Sequence, residues 1–181
     1  MLIELYFTAS SGVNVQPEIA IYYNNKLKTS RVILDDCDLN SSVVKTKKVA
    51  LDINVNCTNH HIKIQSLNIL NEYKVDADFG FQLRHVVADG VELGNYGIDY
   101  TCVNPAEKSY IKHFLEPAGR LHELEIINDN AMHVTRGYWA NYVNLPNGWL
   151  EFEFQTPLYH WILNQQFGRQ LSERHRTILF S

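Results

Sequence analysis

The sequence predicts an all-β protein, an antiparallel β-sandwich carrying one short C-terminal helix. Three observations point there. About ten short segments alternate apolar and polar residues, and turn residues separate them at intervals of roughly 8–12 positions. Aromatic residues make up 12% of the 181, ten of them Tyr, and Tyr together with abundant Asn suits strands joined by tight turns. Only one segment, near the end, carries a complete helix signature.

Taken in order, Leu2–Ala9 opens the chain as an apolar strand. Glu18–Tyr23 alternates and runs into Asn24-Asn25, a pair that tolerates the left-handed backbone of a hairpin turn, so Lys28–Leu34 is its return strand. A polar loop with Asp35, Asp36, Asp38 and Asn40 follows. Val43–Val55 places Val49, Leu51, Ile53 and Val55 on one face and Lys48, Ala50, Asp52 and Asn54 on the other, the pattern of a strand buried on one side. His61–Leu67 sets Ile62, Ile64 and Ser66 against Lys63, Gln65 and Leu67. Phe79–Val87 groups Phe79, Phe81, Leu83, His85 and Val87, and Ala88-Asp89-Gly90 turns into Val91-Glu92-Leu93.

In the second half Tyr96–Val103 reads as a strand. Asn104-Pro105 looks like a helix start, and the spacing of Ala106, Tyr110, Ile111, Phe114 and Leu115 sets a short helix over 105–115 against an irregular loop. Leu121–Ile127 and Met132–Val143 read as strands, and Leu145-Pro146-Asn147-Gly148 as the tight turn of a hairpin into Trp149–Phe154, with Glu151 and Glu153 facing solvent. Thr156 caps the C-terminal helix, Pro157 occupies its first turn, Leu158, Trp161, Ile162 and Gln165 share its buried face, and Gly168 stops it. Thr177–Phe180 adds a last strand. The domain expectation is one sandwich over 1–181, with 104–145 either inside it or an outlying arm, a helix over 157–167 and a tail over 169–181.

Composition restricts function. A net charge of −4 and a pI near 6.0 lack the cationic footprint that binding phosphate backbones requires, so nucleic acid is not an expected partner. No run of about 18 apolar residues occurs, and Met1–Ala9 carries Glu4 with no basic or apolar leader region, so neither membrane nor secretion is expected. Cys37, Cys57 and Cys102 are odd in number and widely spaced, and are read as reduced thiols.

Candidate chemistry is sparse. His60-His61 beside Cys57 holds zinc-type donors, but neighbours on a strand point to opposite faces, so one histidine belongs in the core and the other outside. No HExxH, nucleophile elbow, P-loop or dinucleotide fingerprint occurs. Glu151 and Glu153 are the two carboxylates a glycosidase would use; carboxylates about 7 Å apart on one strand face are ordinary on solvated sheets, and the chain is read as non-enzymatic. Asp76, Asp78 and Asp89 gather oxygen ligands of the kind Ca²⁺ takes, and no other cofactor is indicated. Tyr138, Trp139, Tyr142 and Trp149 are the candidate binding residues, a flat platform for sugar rings or an anchor for a protein interface.

Two resemblances add to this reading. IAIYYNNKLK (Ile19–Lys28), His61-Ile62-Lys63-Ile64 and DADFGFQLRHVVADGVELG (Asp76–Gly94) resemble a jelly-roll carbohydrate-binding module of the calcium-dependent xylan-binding kind, which implies a glycan ligand and Ca²⁺. PNGWLEFEFQTPLYHWILNQQFG (Pro146–Gly168) resembles the ends of small structural proteins of tailed bacteriophages. That likeness implies a decoration, connector, fibre or tail component, assembled in the host cytoplasm and held in the virion by contacts with itself and with other virion proteins. The leading expectation is this non-enzymatic virion component, and the alternative is a module that recognises host-surface glycan.

Overall fold

A computed structural model describes residues 1–10, 16–34, 46–53, 57–67, 80–96, 98–106, 108, 111–143 and 147–167. Its strands are β1 (Leu2–Ser10), β2 (Glu18–Tyr23), β3 (Lys26–Ile33), β4 (Lys47–Asp52), β5 (Asn59–Ser66), β6 (Gly80–Ala88), β7 (Val91–Glu92), β8 (Tyr100–Pro105), β9 (Leu124–Ile127), β10 (Asn130–Gly137), β11 (Tyr142–Val143) and β12 (Trp149–Gln155). They form two sheets, a smaller one in the order β11-β6-β1-β4 with β7 added to β6, and a larger one in the order β3-β2-β5-β12-β8-β10-β9. Every pairing among the described residues is antiparallel. Connections such as β1 to β2, β3 to β4, β4 to β5 and β5 to β6 pass back and forth between the sheets, the jelly-roll-like habit expected from the sequence. Residues 158–167 form the C-terminal helix α1.

Local chemistry explains the hairpins. Asn24 and Asn25 have φ of 46° and 62°, Asp89 and Gly90 of 44° and 83°, and Asn128 and Asp129 of 50° and 63°. Each pair is the two-residue loop whose left-handed backbone matches the twist of the strands it joins, and Asn, Asp and Gly enter that region at least cost. The third was not foreseen: the sequence reading ends one strand at Ile127 and starts the next at Met132.

The core is period-two burial on both sheets. Ile3, Leu5, Phe7 and Ala9 of β1 face Ile19, Ile21, Ile62, Ile64, Leu150, Phe152 and Phe154 of the larger sheet, all buried. Phe7 meets Phe81 edge to face at 6.1 Å. Each such large side chain contributes about 1.5–3 kcal/mol by leaving water. α1 closes onto this core through buried Trp161, with Leu158 and Ile162 packed beside it, on the face its spacing predicts.

Several expectations are corrected. In β6, Tyr6 of β1 pairs with His85 but Phe7 pairs with Leu83, so Arg84 is an extra, bulged residue. The alternation changes phase there: Arg84 and His85 are both exposed, and Val86 and Ala88 are buried in place of His85 and Val87. The expected strand Met132–Val143 is two strands in different sheets, β10 ending at Gly137 (φ 111°) and β11 pairing with β6. The turn before Trp149 therefore makes no hairpin, because β12 lies between β5 and β8 in the other sheet.

Leu93–Tyr96 is a 3-10 turn and the strand begins at Tyr100. Pro105, which has no N–H to continue a ladder, ends β8 rather than opening a helix, and Ile111–Leu115 is a single π-helical turn. Leu121–Glu123 is a 3-10 turn ahead of β9. Thr156 does not cap α1; its hydroxyl donates to the Cys57 carbonyl at 3.2 Å and bonds His60. Cys37, the loop over 35–45, Asp76, Asp78, Phe79 and the tail with Thr177–Phe180 lie outside the described residues.

Candidate functional site

The alternation that buries Leu150, Phe152 and Phe154 turns Trp149, Glu151 and Glu153 to the outward face of the larger sheet. Pairing then decides their neighbours. Trp149 stands opposite Gln65 of β5 and Val103 of β8, and Val103 opposite Val134 of β10. Val103, Met132 and Val134 form a small apolar cluster against which Trp149 and Ile127 pack. Beside it lies a cavity of about 520 Å³ lined by Trp149, Met132 and Ile127 and by four carboxamides, Gln65, Asn128, Asn130 and Asn147. Asn128 (φ 50°) and Asn147 (φ 56°) are turn residues, so backbone conformation places them at the cleft rim.

None of the described residues that line the cleft is charged. Beside it stands Lys63, whose ammonium lies 4.2 Å from the Trp149 ring centroid, a cation–π contact with the indole. Further along the same face, a smaller cavity of about 280 Å³ gathers Glu151, Glu153, His61 and Asp99 beneath Trp161 and Gln165 of α1. His61 Nε2 is 3.4 Å from the Glu151 carboxylate.

The four aromatic residues singled out in the sequence do not share one platform. Trp149 is on the outward face, whereas Tyr138 and Trp139 occupy the turn after β10 and Tyr142 lies on β11 of the smaller sheet. Tyr138 meets Trp139 edge to face at 5.1 Å. His60 is buried and His61 faces outward, as strand geometry requires, and Cys57 and Cys102 are free thiols. Asp89 sits in the β6–β7 turn, where its Oδ1 accepts the Leu2 N–H at 2.7 Å. Among the described residues no group of three or more His, Cys, Asp or Glu is placed to hold a metal.

One polar cluster escaped sequence reasoning. Arg120 donates through Nε and Nη2 to both Glu123 oxygens, at 2.8 and 2.7 Å, and buried His133 Nε2 stands 2.6 Å from Glu123 Oε2. Arg120, and then His133, hold the Glu123 carboxyl down to about 2. A 3-10 turn and β10 bring these residues together, and no spacing in the sequence announces it.

No family model matches the chain, and no curated protein or solved structure matches it either. Fold and face together define an all-β antiparallel sandwich whose larger sheet carries an aromatic-floored cleft lined by carboxamides, with one ammonium, that of Lys63, beside the indole.

Proposed function

We propose that the protein is a non-enzymatic recognition module that binds a neutral glycan in the Trp149 cleft. The observation that carries this reading is the lining itself, one indole with apolar neighbours and four carboxamides, uncharged among the described lining residues, with the Lys63 ammonium beside the indole. A sugar ring presents an apolar C–H face that stacks on an indole, and hydroxyls that both donate and accept, which carboxamides answer in either sense. The cavity falls within the roughly 300–1,000 Å³ of ordinary ligand pockets. A glycan array followed by calorimetry on its hits tests this. Binding that Trp149→Ala weakens by about tenfold or more supports it, and silence across neutral glycans, with calcium and with chelator alike, overturns it.

A second reading is favoured by a different observation. Among the described residues β3 and β9 are the edge strands of the larger sheet, and both carry exposed apolar side chains, Leu27 and Ile33 on β3 and Ile126, 74% exposed, on β9. Open apolar edges recruit further strands from other chains. On this reading the chain is a structural component of a tailed-phage virion, a decoration, connector, fibre or tail element held by copies of itself and by neighbouring virion proteins. Sedimentation at micromolar concentration checks it: self-association or incorporation into particles supports assembly, and a permanent monomer that joins no particle excludes it.

A further inference from the structure

On the opposite, inward side of the same sheet, β8 and β10 run past β11, the edge strand of the smaller sheet. A cavity of about 350 Å³ opens there, floored by Asn104, His133 and Thr135 and walled by Trp139, Tyr142 and Arg120. Asn104 is only 5% exposed, yet its Oδ1 has no hydrogen-bond partner.

The neighbouring thiol fixes how that amide is turned. Cys102 Sγ donates its hydrogen to the Tyr142 carbonyl at 2.9 Å, and burial pushes its pKa up to about 12, so it remains a thiol. The sulfur has acceptor capacity only, and Asn104 meets it with Nδ2 at 3.3 Å. Oδ1 is therefore the amide's other end, a buried acceptor beside an open cavity. Native interiors rarely leave such a group unpaired, and a site that awaits a donor from a ligand is one reason to do so.

The walls indicate which ligand. Trp139 is 85% exposed, and Tyr138 set edge-on to it holds its plane. Both guanidinium groups at the cleft are engaged by carboxylates, Arg120 by Glu123 and Arg136 by Glu125. That balance of charge disfavours an anion and suits a neutral, hydroxyl-bearing ring. We propose that this cleft is a second binding site, in which a neutral sugar ring lies on the Trp139 indole and donates a hydroxyl hydrogen to Asn104 Oδ1. The site goes beyond the Trp149 reading and does not depend on it.

Titration of glucose, galactose and N-acetylglucosamine into the isotopically labelled full chain tests it by NMR. The indole N–H signals of Trp139 and Trp149 report the two clefts separately, so one reading can fail without the other. The expected result is saturable movement of the Trp139 indole and the Asn104 side-chain amide with at least one sugar, weakened about tenfold or more by Trp139→Ala and by Asn104→Leu. Asn104→Leu is expected to melt no lower than the parent, since it removes an unpaired buried acceptor. Trp139 lies outside the core, so its variant keeps the test valid even if Asn104→Leu fails to fold. Trp139 and Asn104 signals that stay still with all three sugars, or binding unchanged in Trp139→Ala, would overturn the proposal.

Discussion

The Tyr23 hydroxyl lies 2.8 Å from Nδ1 of His60 inside the core, and with the imidazole neutral and protonated on Nε2 the hydroxyl is the donor. Thr156 Oγ1 gives its single hydrogen to the Cys57 carbonyl, so it accepts from His60 Nε2 at 2.9 Å. Burial disfavours the charged ring, so the imidazole is neutral, with its proton on Nε2 and an acceptor Nδ1 that Cys57 Sγ also approaches at 3.8 Å. It is stacked between Tyr23 and Phe154, at 5.9 and 4.9 Å between centroids. Tyr23→Phe keeps the packing and takes the short donor from a buried acceptor, leaving it the Cys57 thiol 3.8 Å away, and the expected loss is about 1–3 kcal/mol in urea denaturation. A loss below about 0.5 kcal/mol would mean that the wiring stabilises nothing.

Acid weakens the fold in two stages. Burial first, and the positive amino terminus second, lower the His60 pKa below its ordinary value of 6.5. Below 6.5 the unfolded chain takes up a proton that the folded chain resists, so stability falls as pH drops from there towards the depressed folded value, by at most about 1.4 kcal/mol per pH unit for one group. Glu123 acts at lower pH. Its contribution is present above 4.5 and is lost as pH falls towards about 2, and solvent screening leaves it near 1 kcal/mol. Urea midpoints measured against pH should show both declines; His60→Gln should flatten the first and Glu123→Gln the second. A profile that His60→Gln leaves unaltered between pH 6.5 and 5 rejects the assignment.

The bulge at Arg84 makes a prediction about chain length. Without Arg84, Leu83 and His85 become consecutive, and β6 alternates regularly against β1 while Phe81, Leu83, Val86 and Ala88 all stay inward. Deleting Arg84 should therefore give a folded protein, within about 2 kcal/mol of the parent. Deleting Gln82 brings Phe81 next to Leu83 and forces one of two buried residues outward, which costs several kcal/mol and should abolish cooperative unfolding. Circular dichroism and thermal melts of the two deletions decide the matter, and equal behaviour would contradict the register.

What the sequence made legible follows from one-sided burial. β2, β4, β5 and β12 could be read because each seals one face, and Asn24-Asn25 and Asp89-Gly90 because their backbone demands those residues. The helix face of Leu158, Trp161, Ile162 and Gln165 was equally plain. The bulge was hidden because inserting one residue changes phase without changing composition. The break after Gly137 was hidden because Tyr138, Trp139 and Tyr142 look like a continuing strand. The clefts were least visible of all. Trp149 stood out as an aromatic residue, but Gln65, Met132 and Asn128 reach it only through pairing across the larger sheet, and the unpaired Asn104 oxygen depends on a thiol and on a carbonyl from β11.

Asp89 offers a test of turn chemistry against ion binding. Its φ of 44° needs a residue that tolerates the left-handed region, and its Oδ1 ties the turn to the start of β1 through Leu2 N–H. Asn supplies both the conformation and an acceptor oxygen, whereas Ala supplies neither. Asp89→Asn is therefore expected to melt close to the parent, and Asp89→Ala to lose about 1–2 kcal/mol, in chelator as well as in calcium. A carboxylate required as a calcium ligand behaves differently: calcium then raises the parent's melting temperature by mass action, and Asp89→Asn erases that rise. Thermal melts of the three proteins with calcium and with chelator separate the two roles, and an Asp89→Ala chain as stable as the parent would show that the Leu2 contact is dispensable.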